Sequence, residues 1–196
     1  DGSGKAEEIL HYRYGIWETE VSRDGRWLVI RTDEENGDGN VYARRLGGDT
    51  ALIPLLTDPS QTYQIALSPD SRWLAWCSNE SGVQNEVYVA SFPDMRSKRL
   101  VSRGGGTEPR WSRNGRELFF KSGGQLMSVA VPPGPSFLPG VPHPLFPLAG
   151  FRAARNRPQY DVAPDGRFVM IRQSGTAASI VYAEHWFAEL QARVRR

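Results

Sequence analysis

The chain has 196 residues, 39% hydrophobic and 23% charged, which is enough to bury a core and argues against intrinsic disorder. Its net charge of +2, with basic residues scattered among acidic ones, gives nucleic-acid binding no support, and its one cysteine, Cys77, excludes an intrachain disulfide. No apolar run reaches the ~18 residues of a helical membrane span, so no direct membrane insertion is expected, and no secretory leader is expected within these residues.

The opening Asp1-Gly2-Ser3-Gly4 reads as a β-turn whose first strand lies upstream, so the chain is expected to be a piece of a longer protein. A short strand is expected at 8–11. Strands follow at 17–21, 27–32, 41–45 and 51–56, with Glu34-Glu35-Asn36-Gly37-Asp38-Gly39 as a polar loop. A second unit is expected at 63–67, 73–77, 86–91 and 99–102, and a third at 108–111, 117–121, 126–131 and 145–148. The connection before the last of these holds Pro132, Pro133, Pro135, Pro139 and Pro142, which suits an edge or an extended loop. A fourth unit has strands at 159–162, 168–172 and 179–183, and the end, with Trp186, Phe187, Leu190 and Val194, reads as a short C-terminal helix.

The units share one turn. Ser22-Arg23-Asp24-Gly25-Arg26-Trp27, Ser68-Pro69-Asp70-Ser71-Arg72-Trp73, Ser112-Arg113-Asn114-Gly115-Arg116-Glu117 and Ala163-Pro164-Asp165-Gly166-Arg167-Phe168 align without gaps, each followed by an apolar strand. Asp24, Asp70, Asn114 and Asp165 hold the same place in the turn, spaced 46, 44 and 51 residues apart. Short strands repeating at that period predict an all-β fold, a β-propeller of about four four-stranded antiparallel blades belonging to a larger propeller. The 8–11 strand either completes the fourth unit and closes a four-bladed ring, or belongs to a blade upstream and leaves an open arc, the arc being favoured. The propeller is expected over 1–185 and the helix over 186–196.

In the innermost strands, Val21, Leu67, Trp111 and Val162, with Thr19, Ile65, Pro109 and Tyr160, are expected to be mainly core. The alternate positions, Glu20, Ala66, Arg110 and Asp161 with Glu18, Gln64, Glu108 and Gln159, are expected to face a wet central channel. Glu18, Glu20, Gln64, Glu108, Arg110, Gln159 and Asp161 are therefore the candidate ligand-binding set, since converging polar groups at the axis suit a protein, a peptide or a small ligand. A merely hydrated pore mouth is the alternative.

No catalytic or metal role is expected for other groups. Asp24, Asp70, Asn114 and Asp165 occupy one turn position in separate units, too far apart to converge on an ion, and Arg26, Arg72, Arg116 and Arg167 are expected to pair with turn acids or stack on aromatics. His11, His143 and His185 are dispersed and show no zinc spacing, and no Gly-x-Ser-x-Gly elbow occurs. Gly104-Gly105-Gly106-Thr107 lacks the lysine and the helix of a phosphate loop and reads as a turn. No cofactor is expected.

Leu67-Ser68-Pro69-Asp70-Ser71-Arg72-Trp73-Leu74-Ala75, Asn85-Glu86-Val87-Tyr88-Val89 and Gly105-Gly106-Thr107-Glu108-Pro109-Arg110-Trp111-Ser112 resemble the WD-like blades of TolB-type propellers. Tyr160-Asp161-Val162-Ala163-Pro164-Asp165-Gly166-Arg167-Phe168 and the ending His185-Trp186-Phe187-Ala188-Glu189-Leu190 are similar to the C-terminal end of bacterial proteins in which a serine/threonine kinase domain precedes such a propeller. The resemblance implies a non-catalytic sensor or interaction module, with the kinase upstream and none of its motifs in this chain. A prolyl-oligopeptidase-like scaffold propeller and a TolB-like periplasmic partner of an envelope complex are the alternatives. The extracytoplasmic side of a membrane-anchored bacterial protein is the favoured compartment. Ser71 stands where the blade pattern has Gly, and a positive φ there costs about 1 kcal/mol.

Overall fold

The repeated turn closes because a serine and an acid satisfy its amides from both sides. Ser22 Oγ accepts the N–H groups of Arg26 (3.1 Å) and Trp27 (2.8 Å) and donates to Asp24 Oδ1 (2.6 Å), which also accepts Arg26 N–H (3.1 Å). Ser68 and Asp70 repeat this pattern, as Ser112 and Asn114 do in their essentials. In the fourth copy Ala163 has no hydroxyl, and Asp165 alone accepts Arg167 N–H (3.1 Å). Arg26, Arg72 and Arg167 pair with their turn acids, as at Arg72–Asp70 (2.7 Å), while Arg116 has the neutral Asn114 in that place. The corner residue takes a left-handed φ in every copy: Gly25 67°, Ser71 57°, Gly115 69° and Gly166 85°.

In a computed structural model that describes residues 5–34, 39–48, 51–152, 157–174 and 177–183, these turns join strands into four antiparallel sheets. Sheet I is β1 (Gly15–Val21), β2 (Trp27–Asp33), β3 (Asn40–Arg45) and β4 (Leu52–Leu56). Sheet II is β5 (Thr62–Leu67), β6 (Trp73–Ser78), β7 (Glu86–Ser91) and β8 (Arg99–Leu100). Sheet III is β9 (Thr107–Trp111), β10 (Glu117–Ser122), β11 (Gln125–Ala130) and β12 (His143–Pro147), and sheet IV is β13 (Tyr160–Val162), β14 (Phe168–Ser174) and β15 (Ala177–Ala183). Each sheet is a meander paired in chain order, the fold of propeller blades.

The sheets stack face to face through three apolar clusters. Val29 and Ala43 of sheet I meet Ile65, Leu74 and Trp76 of sheet II. Ala66, Trp73 and Val89 of sheet II meet Trp111, Leu118 and Phe120 of sheet III, and Phe119 and Leu126 of sheet III meet Tyr160, Phe168 and Met170 of sheet IV. Phe137, from the proline-rich connection, is 2% exposed and its ring lies 5.4 Å from that of Trp73. That connection runs as an extended loop into β12, which carries Pro144 on the sheet's outer edge.

The inner strands differ from expectation in one respect. Adjacent residues Ile65 and Ala66 both lie in apolar clusters, Ile65 toward the preceding sheet and Ala66 toward the following one. Because blades are radial, the two faces of an inner strand meet the two neighbouring blades, and its backbone edge looks at the axis. The alternation is thus between neighbours, not between core and water. Val21, expected in the core, is 56% exposed, since its face of β1 belongs to none of the three clusters.

The expected strand at 8–11 does not form. The chain there is held to sheet I by side chains: Tyr12 donates to Glu34 Oε1 (2.5 Å) and its ring packs on Tyr42, with centroids 5.9 Å apart. It therefore supplies no fourth strand to sheet IV. The described residues contain no helix, and the helix expected at 186–196 lies outside them.

Ser71 is the one non-glycine in the left-handed corner position, and the equivalent Gly25 has open space around it. Ser71→Gly is expected to raise stability by up to about 1 kcal/mol, as the relieved strain exceeds the entropy that glycine adds to the unfolded chain. A lower urea midpoint for the variant would show the corner to be unstrained.

Candidate functional site

The seven expected site residues separate into two tiers. The first tier, six residues before each turn acid, is Glu18, Gln64, Glu108 and Gln159, and it forms a relay from sheet to sheet. Gln64 N–H donates to Glu18 Oε1 (2.8 Å), Glu108 N–H donates to Gln64 Oε1 (2.8 Å), and Gln159 N–H donates to Glu108 Oε2 (2.7 Å). Each side chain captures the backbone of its counterpart in the next blade. The donors are aimed by local geometry: the ladder is interrupted at this place in β1, β5 and β9, and Gln64 and Glu108 take φ of 57° and 56°. Gln64 is 0% and Glu108 1% exposed, so the middle of this tier lies inside the protein, with Glu18 and Gln159 half-buried at its ends.

In the first three blades the second strand matches the charge of this tier, whereas in the fourth Arg172 stands at the corresponding position beside the neutral Gln159. Arg31, Cys77 and Lys121 stand seven residues after Asp24, Asp70 and Asn114. Arg31 Nε donates to Glu18 (2.8 Å) and Lys121 Nζ to Glu108 (2.9 Å), whereas the neutral Gln64 belongs to the blade that carries Cys77. A buried carboxylate is tolerated only with a hydrogen-bonded cation, so a charged acceptor and its cation occur together. In sheet IV, Gln159 instead donates through Nε2 to the carbonyls of Arg157 and Pro158.

The second tier, Glu20, Ala66, Arg110 and Asp161, converges on a cavity of about 320 Å³ at the turn end of the strands, to which all four sheets contribute. Arg110 lies 4.0 Å from Glu20 and donates to the carbonyls of Ile65 (3.4 Å) and Pro109 (3.2 Å). Trp111 Nε1 donates to the Ala66 carbonyl (3.1 Å), fixing one wall. Arg23 reaches across from the first turn to the Arg113 carbonyl in the third (2.9 Å). Burial pushes the Glu20 carboxyl up to about 7, against the pull of Arg110, and the nearby Glu18 and Asp161 charges add to the rise. Asp161 is exposed and accepts Val162 N–H (2.8 Å). The cavity is polar, lined by two arginines, Arg23 and Arg110, and two acids, of which Glu20 has its carboxyl pushed up to about 7.

Two sequence features resolve without a ligand. Gly104 and Gly105 N–H groups donate to Glu86 Oε1 (3.0 and 2.9 Å), and Ser102 Oγ donates to the other carboxylate oxygen, so this glycine loop encloses an internal anion. Cys77 is buried, and desolvation, with Glu18, Glu108 and Glu86 nearby, pushes its thiol up to about 12, which leaves it unreactive. Sequence reasoning missed the Glu86 site and the cations Arg31 and Lys121, although in the first three blades the pairing of acid with base between the two repeat positions was there to be read. No group of three or more metal-ligating side chains occurs among the described residues.

No protein-family model matches the chain, and no curated protein matches it. Among solved structures it is similar to TolB from Acinetobacter baumannii, at 16% identity and a TM-score of 0.60 over 89% of this chain and 42% of that one. It is likewise similar to the putative TolB from Agrobacterium tumefaciens, at 19% identity and a TM-score of 0.59, over 85% of this chain and 60% of that one. A puromycin-hydrolyzing peptidase from Mycobacterium tuberculosis matches at 20% identity and a TM-score of 0.64, over 87% of this chain and 30% of the peptidase. The chain thus has a TolB-like β-propeller fold and spans 30% to 60% of the length of these structures.

Replacing the neutral link of the relay tests the two-tier reading. Gln64→Leu leaves the buried Glu108 N–H without an acceptor and is expected to cost about 1–3 kcal/mol. Gln64→Glu keeps the acceptor but puts a carboxylate in a blade without a cation. Burial should raise its folded-state pKa, so its stability loss should grow as pH rises from 5 to 8. Denaturant melts at the two pH values check this, and equal losses at both would show Gln64 to be solvated.

Proposed function

We propose that the chain is a non-catalytic sensor and interaction propeller, C-terminal to a bacterial serine/threonine kinase domain, that takes a cationic group, such as a basic peptide side chain, in the axial cavity between Glu20, Arg110 and Asp161. The observation that carries this reading is the division of the polar residues at the axis. Glu18 and Glu108 are neutralised within the fold, whereas Glu20 and Asp161 look into a space that all four sheets enclose. The two arginines of the cavity, Arg23 and Arg110, donate to backbone carbonyls and form no close ion pair with either acid, so Glu20, when ionised, and Asp161 are left to accept from a cationic group. Propeller strands fix such groups rigidly, and converging polar groups in a concavity are the usual setting of a binding site. The kinase context rests on the resemblance of the ending, and the propeller is assigned to 1–185 with the helix at 186–196. A scaffold role beside a hydrolase domain is the second reading, favoured by the similarity to the peptidase propeller.

A lysine-containing peptide is expected to bind more tightly at pH 8 than at pH 6, because Glu20 ionises through about 7. The double variant Glu20→Gln, Asp161→Asn should weaken binding at pH 8 by roughly tenfold or more and flatten the pH profile. Calorimetric titration reads both effects, and unchanged affinity in the variant would remove the site.

The purified chain is also expected to turn over no ATP, and a phosphate-release assay above the buffer blank would refute the non-catalytic reading.

A further inference from the structure

The opposite ends of the same strands enclose a second concavity. β10 runs from Glu117 at the turn end to Ser122 at the other, where the β10–β11 hairpin, the loop before β9 and the loop after β12 surround a cleft of about 810 Å³. That volume falls in the range of small-ligand pockets. One wall is apolar, made by Leu148, Ala149 and Phe151, and Gly123 and Gly124 leave the hairpin side bare, since nothing lies within 4 Å of either Cα substituent position.

The charge of the cleft is one-sided. Lys121, 8% exposed, lies in its lining and donates to Glu108 Oε1 (2.9 Å) and to the Arg152 carbonyl (3.2 Å). Glu108 is 1% exposed, and its second oxygen accepts Gln159 N–H, so its charge is answered from within. Arg152 is exposed in the lining and makes no ion pair with a described residue. The cleft therefore combines a greasy wall with net positive charge.

We propose that this cleft binds a carboxylate carried on an apolar body, the body against Leu148 and Phe151 and the carboxylate at Arg152 beside Lys121. A guanidinium holds a carboxylate with two parallel hydrogen bonds, and the apolar wall adds area removed from water. The C-terminus of a peptide ending in a large aliphatic residue and a free medium-chain fatty acid share this chemistry. The site is separate from the axial cavity, which lies at the turn end and favours a cation.

Calorimetric titration of the intact chain with octanoate, with an acetylated tripeptide acid ending in leucine, and with the C-terminal amide of that tripeptide tests the assignment. At least one of the two acids is expected to bind and the amide is not. Arg152→Gln should weaken the binding acid roughly tenfold, the worth of a charge-assisted hydrogen bond, whereas Asp161→Asn in the axial cavity should leave it unchanged. Binding of octanoate alone identifies a fatty-acid-like source, and binding of the tripeptide acid identifies a peptide terminus. Because Arg152 is exposed, the variant is expected to melt with the parent protein, so a loss of binding reports on the site. No binding of either acid, or binding that Arg152→Gln leaves unchanged, overturns the proposal.

Discussion

The capture of one blade's inner backbone by a side chain of the blade before it is the constraint on which the rest of the structure depends. Stacked apolar faces supply most of the driving force, since burying a tryptophan such as Trp76 contributes several kcal/mol, but such contacts are non-directional. They do not decide how far one sheet slides along its neighbour. The links Glu18 to Gln64, Gln64 to Glu108 and Glu108 to Gln159 do, because each fixes a single amide to a single oxygen. Their net contribution is modest. A left-handed residue costs about 1–2 kcal/mol, and a hydrogen bond returns about 0.5–1.5 kcal/mol, or about 1.5–3 when an ion takes part. Strain at Gln64 and Glu108 thus roughly offsets the bonds it permits, and the relay specifies register more than it stabilises.

Burial then dictates charge. Two of the three acceptors are carboxylates, and each carries a cation from its own second strand, Arg31 or Lys121. The carboxamide link needs none, and Cys77 stands in the matching place. This rule separates acids that look alike in the repeat. Glu18 and Glu20 are two residues apart on one strand, yet the first is an internal ion pair, while the second is only half-buried, 4.0 Å from Arg110, with a carboxyl pushed up to about 7. An acid held by a close cation is part of the frame, and one held loosely remains able to answer a ligand.

Most of the frame was legible because it is written in local chemistry. The Ser-x-Asp-Gly corner determines its own hydrogen bonds, so the four turns and the strands beside them fall where the sequence puts them, and the left-handed Ser71 follows from its place in the corner. The axis was less legible. Period-two alternation marks two environments but does not name them, and in a radial stack both are neighbouring blades, as Ile65 and Ala66 show. The strand expected at 8–11 failed for a related reason. It was expected from its place after the opening turn, whereas Tyr12 and Glu34, which hold the segment, act through side chains that no periodicity records.

The glycine loop at 104–106 extends the same logic from charge to donors. Consecutive amides turned toward one point form an anion cradle whether the anion is a bound phosphate or a side chain. Here Glu86 fills the cradle, 6% exposed and further held by Ser102, so the loop's donors are already engaged. The same question, asked of every polar group along the strands, sorts the molecule. Amides and acids between the blades answer one another, as the relay does, and the Glu86 cradle does the same at a strand end. Groups whose partners are distant, Glu20 and Asp161 at the turn end and Arg152 at the other, lie where the sheets stop. A radial stack satisfies its interior blade by blade, and where a strand end has no loop folded over it, as the glycine loop is over Glu86, charge is left facing a cavity.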